Sequence, residues 1–158
     1  MRRLFLVVFA GILLVSCANE ETTINITQEE ANLMETSRKW SQSFSTEEYF
    51  SFIGEGGIMM APGQPLLEGH EKIKNVLKEF QSLPGFRVTW EPQEAFVSKS
   101  LDLGYTIDKM LVNFDDKDGN TVNQFEKVVS IWKKNEKGEW KMAVDIWNAD
   151  PTLKSIAK

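Results

Sequence analysis

Apolar positions recur at helical spacing through the first half of the chain and alternate through the second. Leu33, Trp40 and Phe44 fall on one side of a helix, with the small residues Ser37 and Ser41 between them. Thr27-Gln-Glu-Glu30 has the form of a capping box, which places the start of that helix at Thr27. Ser45-Thr-Glu-Glu48 repeats the signature and predicts a second, short helix carrying Tyr49, Phe50, Phe52 and Ile53, ended by Gly54, Gly56 and Gly57. Ile58-Met-Met-Ala61 reads as a short strand closed by the turn Pro62-Gly-Gln-Pro65. From His70 to Gln81, Ile73, Val76, Leu77 and Phe80 sit at i, i+3, i+4 and i+7, the best helical match in the chain.

After Pro84-Gly85 the period changes to two. Phe86, Val88 and Trp90 alternate with Arg87, Thr89 and Glu91 until Pro92 interrupts or bends the run. Leu103–Phe114 and Val122–Lys134 are strand-like and separated by Asp115-Asp-Lys-Asp-Gly-Asn120. Trp140–Asn148 follows Asn135-Glu-Lys-Gly138, and both connections are rich in hairpin residues. Helices first and an antiparallel meander afterwards indicate an α+β domain.

The N-terminus has a different character. Arg2 and Arg3 precede the twelve-residue apolar run Leu4–Val15, a short positive region followed by a hydrophobic one. A bilayer span needs about 20 residues, so the run reads as a targeting signal. Leu14-Val15-Ser16-Cys17 resembles the lipobox of bacterial lipoproteins, which implies cleavage between Ser16 and Cys17 and lipidation of Cys17. The alternative is a buried free thiol behind a signal peptide. Cys17 is the only cysteine, so an exported domain could not use a disulfide. Residues 1–16 are thus expected to be a signal peptide, Ala18–Ile26 a tether, residues 27–151 the domain and 152–158 a tail. Ala18 after the cysteine resembles an outer-membrane address in Gram-negative lipoproteins, so the expected location is the cell envelope.

Charge narrows the partners. The net charge is −5, and without Arg2 and Arg3 the remainder holds 16 basic against 23 acidic side chains, a net −7. Binding a polyanion needs a basic face, so nucleic acid is an unsuitable partner. Ten Phe, five Trp and two Tyr are ample for an aromatic core.

Few motifs announce chemistry. Asp116-Lys-Asp118-Gly-Asn120 has its glycine at the fourth position of a would-be calcium loop and no glutamate at the twelfth, so it reads as a hairpin turn. His70, the only histidine, stands at the start of the third helix, where a surface or capping role suits it, and a metal cluster would have to be built without a second imidazole. No phosphate-binding loop, HExxH or nucleophile elbow is present. Strand parity is more informative. Asp145 shares a face with Ala143 and Trp147, Ser130 with Glu126, Val128 and Trp132, and Asp108 with Thr106 and Met110. If those faces line the interior, Asp145 is a pocket carboxylate framed by Trp132 and Trp147. If the parity is reversed, Asp145 is solvent-facing and Trp140 and Met142 point inward.

Asp102-Leu-Gly-Tyr-Thr106, Val129-Ser-Ile-Trp-Lys-Lys134 and Gly138-Glu-Trp-Lys-Met-Ala-Val-Asp145 with Asn148 together resemble the DUF4440, or SnoaL-like, branch of the NTF2-like (cystatin-like) superfamily. Gly69–Ile73 resembles that branch's helix entry, and the likeness spans about Thr27–Pro151. It implies a curved antiparallel sheet wrapped as a cone around three N-terminal helices, with a central cavity and frequent dimerisation. The superfamily includes steroid isomerases and polyketide cyclases. Ala61 stands where the isomerase base would be and Ser130 where its proton-sharing aspartate would be, so chemistry here would fall to Asp145 first and Asp108 second.

The resemblance also brings Trp40, Phe44, Tyr49, Met59, Glu126, Ser130, Trp132 and Trp147 forward as cavity residues. The expected ligand is a small, partly apolar molecule, with no cofactor. Three functions stand open: a tethered binding domain, an acid–base isomerase, dehydratase or cyclase, and a non-catalytic dimeric scaffold.

Overall fold

The computed structural model describes residues 17–157, with backbone only for 17–24. The signal-peptide reading of residues 1–16 lies outside the described residues, as does the side chain of Cys17. Helix α1 runs Cys17–Gln42, followed by a 3₁₀ helix at Glu47–Phe52, strand β1 at Ile53–Met60, the two-residue β2 at Leu67–Glu68, and α2 at His70–Gln81. Four long strands complete the fold: β3 Arg87–Val97, β4 Leu103–Asp115, β5 Thr121–Lys134 and β6 Trp140–Ala149. They form one curved, unclosed sheet in the order β2-β1-β6-β5-β4-β3. This is the expected α+β cone, with one correction. The sheet is mixed, because β1 lies parallel to β6 while every other neighbour is antiparallel.

The helices follow their apolar stripes. In α1, Leu33, Ser37, Trp40 and Ser41 are buried, the spacing that one helix face requires. The capping box at Thr27 is not the start of this helix, since Thr27 lies inside α1 and the segment expected as a tether is helical. A local cap signature yields where the flanking residues also accept helical geometry. The second expected helix is two turns of 3₁₀ helix, and its N-cap, Thr46, makes no side-chain capping bond; the Thr46 hydroxyl donates to Ser43 O instead, at 2.9 Å. Helix α2 matches its predicted bounds, Ile73 and Leu77 being buried. It is entered through Gly69 at φ 84°, a left-handed conformation that suits glycine.

Three register shifts shape the sheet. The glycines expected to end the second helix lie within β1, where five residues from Ile53 to Ile58 span the two from Met142 to Val144 on β6. On β6, Val144 pairs with Ile131 and Met142 with Trp132, leaving Ala143 as an extra residue. A bulge of this kind resets side-chain alternation. Trp140, Met142 and Asp145 are therefore all buried, although their numbers differ in parity. The two parity alternatives were not exclusive. Trp140 closes the far end beneath α1, where its Nε1 donates to Glu29 Oε2 at 3.2 Å and Lys134 Nζ lies 4.9 Å from its ring centroid. On β3, the register shifts between Pro92 and Glu94, the bend expected at a proline without an amide hydrogen.

The opposite face of the sheet carries two apolar rows. In register, Phe96, Tyr105, Ile131, Val144 and Ile58 form one, and Ile107, Val129, Ile146 and Met60 the other. Phe96 is 52% exposed and stacks on Tyr105 with ring centroids 5.4 Å apart. The tail borders these rows: Ile156 O accepts from Gln93 Nε2 at 3.1 Å and Ala157 O from Lys109 Nζ at 3.2 Å.

Candidate functional site

The inner face of the sheet and the helices enclose a cavity of about 240 Å³. Helix α1 contributes Trp40 and the turn after it Phe44, the 3₁₀ helix Tyr49, β1 Met59 with Ala61 just beyond it, and α2 Leu77 and Phe80. The strands add Trp90 from β3, Met110 and Phe114 from β4, Gln124, Glu126, Val128 and Ser130 from β5, and Asp145 and Trp147 from β6. Pro62, Leu83 and Gln124 are exposed and form the rim. Six residues of β5 separate Gln124 from Ser130, about 20 Å of strand, so Asp145 opposite Ser130 sits deep while Glu126 sits nearer the mouth.

Aromatic packing builds the floor. The Trp40 ring stacks on Tyr49 at 5.2 Å and meets Trp90 and Trp132 edge-on at 4.9 and 5.4 Å. Each offset or edge contact adds about 0.5–1.5 kcal/mol beyond area burial. Trp132 is fully buried behind this layer and does not reach the cavity wall.

Asp108 also lies behind the wall, 1% exposed. Its Oδ1 accepts from Ser37 Oγ at 3.2 Å and its Oδ2 from Thr106 Oγ1 at 2.9 Å. Those hydroxyls in turn accept from indoles: Trp90 Nε1 donates to Ser37 at 3.1 Å and Trp132 Nε1 to Thr106 at 3.2 Å. Burial raises the Asp108 pKa to about 6, with Thr106, Ser37 and Ser130 opposing the rise. Asp108 does not touch the cavity, so its expected role as a second catalytic carboxylate has no access to a ligand in this arrangement. The residue orients two tryptophans instead.

Asp145 does line the cavity. The hydrogen bond it accepts among the described residues comes from Ser130 Oγ, 2.6 Å from Oδ1. Burial raises its pKa to about 7, Ser130 opposes this, and the Asp108 charge adds to it. Burial and then the Asp145 charge hold the Tyr49 phenol well above its ordinary value. Glu126, 2% exposed, is raised by burial and opposed by Gln124, whose Nε2 donates to Oε1. Among the described residues, Glu126 Oε2 and Trp40 Nε1 are buried without a hydrogen-bond partner. His70 is part-buried, its Nε2 3.1 Å from Ile53 O, and it ties α2 to β1 away from the cavity. Among the described residues no three His, Cys, Asp or Glu side chains converge as metal ligands.

The structure therefore brings Trp40, Phe44, Tyr49, Met59, Glu126, Ser130, Asp145 and Trp147 to one cavity and leaves Trp132 and Asp108 in a layer behind it. Sequence reasoning missed Trp90, Met110 and the α2 residues Leu77 and Phe80 as wall residues. Parity on β3 could have found Trp90, and the face that Met110 shares with Asp108 was already visible. The hydroxyls of Ser37 and Thr106 gave no local signal, because their partners are distant in sequence.

An α+β cone holding an aromatic, acid-bearing cavity defines the class of domain. No protein-family model and no curated protein sequence matches the chain. Solved structures do. The chain is similar to a ketosteroid isomerase-like protein from Erwinia carotovora atroseptica, with 18% identity and a TM-score of 0.60 over 83% of this chain and 97% of that one. It is similar to an NTF2-like protein with a cystatin-like fold from Novosphingobium aromaticivorans, at 11% identity and 0.60 over 88% and 91%. A cystatin-like-fold protein from Nostoc punctiforme gives 17% identity and 0.58 over 77% and 90%. At such identities the likeness establishes the NTF2-like, cystatin-like fold and leaves activity to the residues.

The acid at the cavity floor has a measurable signature. Asp145 titrates near 3.9 in an unfolded chain and at about 7 in the fold. Between those values the folded protein binds more protons than the unfolded one, so this group's contribution to stability falls as pH rises from about 4 to about 7. Asp145→Asn removes the charge but still accepts from Ser130. The variant is expected to melt roughly 5–10 °C higher than the parent at pH 8, with the gap closing near pH 4, consistent with a burial cost on the order of 2–4 kcal/mol. Thermal unfolding across that range checks it, and a gap independent of pH would contradict the desolvated carboxylate.

Proposed function

We propose that the chain is a membrane-tethered, small-molecule-binding domain of the SnoaL-like, DUF4440 branch of the NTF2-like fold, acting in the bacterial cell envelope. The observation that carries the binding reading is the pair of buried, unpartnered polar atoms, Trp40 Nε1 and Glu126 Oε2, on residues of a mostly apolar cavity. An unpaired buried polar group costs about 1–3 kcal/mol, a cost that a ligand with matching polar groups relieves. The branch assignment rests on the three strand motifs read from the sequence.

A compact neutral fluorophore such as 1-naphthol should show saturable fluorescence enhancement on binding, at micromolar concentration. Val128→Trp, which adds bulk to the cavity wall, should abolish the enhancement while leaving the melting temperature within a few degrees. Enhancement that does not saturate, or that survives Val128→Trp in a folded protein, would refute the cavity as the binding site.

A second reading is favoured by one observation: Asp145 has a pKa of about 7 beside the Tyr49 phenol in a water-poor site. A group poised near neutral pH suits proton abstraction next to a carbonyl, with Tyr49 as a donor to the developing oxyanion. In that case Asp145→Asn would keep binding and lose turnover. Ala61 and Ser130, at the positions of the isomerase acids in the resemblance, weigh against the isomerase mechanism itself.

The tether rests on Arg2, Arg3, the apolar run to Val15, and Cys17 after a small residue. Among the described residues no helix is long and apolar enough to cross a membrane. Metabolic labelling with a fatty-acid analogue should mark the wild-type protein, and Cys17→Ser should abolish label and signal cleavage. Unchanged processing and membrane retention in that variant would remove the tether.

The proposed homodimer is supported by the two exposed apolar rows on the outer face, larger than scattered surface residues explain. Sedimentation of residues 19–158 should give twice the monomer mass at micromolar concentration, and Ile107→Lys with Val129→Lys should return it to monomer. A wild-type monomer under those conditions would leave the rows without a second copy as partner.

A further inference from the structure

We infer that the cavity selects an amphiphilic organic cation, an amine on a compact apolar body, and discriminates against anions of the same shape. This deepens the binding reading above and rests on it. Two carboxylates, Glu126 and Asp145, stand on the wall, and among the described residues no lysine, arginine or histidine does. Three cations on the elements that build the wall are engaged elsewhere. On β4 and β5, Lys109 and Lys127 alternate to the other face, where Lys109 meets Ala157 O and Lys127 lies 3.8 Å from Asp150. Arg38 on α1 is paired with Glu91 at 2.8 Å and Glu35 at 2.7 Å.

A carboxylate in an apolar site needs a donor or an opposite charge. Asp145 has one hydroxyl donor and Glu126 one amide, whereas Glu126 Oε2 has none. An ammonium group supplies both N–H donors and charge to that oxygen. The aromatic lining serves the same ligand twice, because ring faces attract cations and ring surface buries an apolar body. Trp40 Nε1 remains as a donor for an oxygen on the ligand. The volume sets the size: a cavity of about 150 Å³ accommodates benzene, so 240 Å³ accepts one ring with a short chain. An excess of acidic side chains also raises the local concentration of cations around the protein.

Three probes of one shape test the charge preference: 3-phenylpropylamine, 3-phenylpropan-1-ol and 3-phenylpropanoate, titrated calorimetrically at pH 8 against residues 19–158. The amine should bind at least tenfold tighter than the alcohol, and the acid should bind weaker than either. Glu126→Gln keeps an acceptor for Gln124 and should cut amine affinity tenfold or more while changing alcohol affinity less than threefold. Asp145→Asn gives a second variant with the same expectation should Glu126→Gln fold poorly. If the alcohol binds as well as the amine, or the amine's advantage survives both variants, the cation preference is overturned while the binding reading stands. If none of the three binds and the neutral fluorophore also fails, both fall.

Discussion

One buried carboxylate links four elements. Asp108 on β4 receives a hydroxyl from α1 and another from its own strand, and each hydroxyl carries an indole N–H from β3 or β5. An ionised group at 1% exposure would be a liability if either oxygen were left bare. With both filled, it fixes Trp90 and Trp132, and the edges of these rings hold Trp40 in the cavity floor. The orientation of the floor therefore depends on a residue that never reaches the cavity. Removing one partner would cost more than its own hydrogen bond, because the remaining acceptor would be stranded in a low-dielectric layer.

Much of the fold was legible because its signals are local. The helical spacing of Ile73, Val76, Leu77 and Phe80 is reproduced by α2 with its bounds, and β4, β5 and β6 lie within a residue of their expected spans, whereas β3 continues through Pro92 to Val97, beyond the alternation that ended at Glu91. What escaped was set by partners far along the chain. The capping box at Thr27 competes with ten preceding residues able to extend the helix, and it lost. The parallel pairing of β1 with β6 joins residues some 85 apart and is invisible to any local window. The extra residue at Ala143 has no sequence mark, since an alanine between Met142 and Val144 fits a regular strand as well as a bulged one.

That bulge also explains why parity placed Asp145 and Trp147 inward but could not place Trp140 and Met142 with them. The strand spends its first residues, Trp140 and Met142, on the packed end of the cone beneath α1 and its later ones, Asp145 and Trp147, on the cavity. Without the extra residue, one of those pairs would face the outer rows. A tryptophan on the outer face would be tolerated, but an aspartate among Ile131, Val129 and Ile146 would interrupt them. Core, cavity and outer face are thus satisfied together by one inserted residue.

Whether the cavity binds or transforms its ligand turns on how Asp145 holds its charge. Ser130 offers one hydrogen bond, whereas Asp108 receives two, and Asp145 is the more strongly raised of the pair. A residue kept only for packing gains nothing from this arrangement, since an asparagine would fit the same bond at lower cost. The ionised form becomes favourable when a ligand brings a donor or a positive charge, and the proton released on binding is the coupling that a base would also use. On the two readings proposed above, binding and proton transfer would be successive uses of one desolvated oxygen. What separates them is whether the ligand presents a proton on carbon to that oxygen or only one on nitrogen, a choice made by the ligand's shape against Trp40, Tyr49 and Met59 rather than by a further acid.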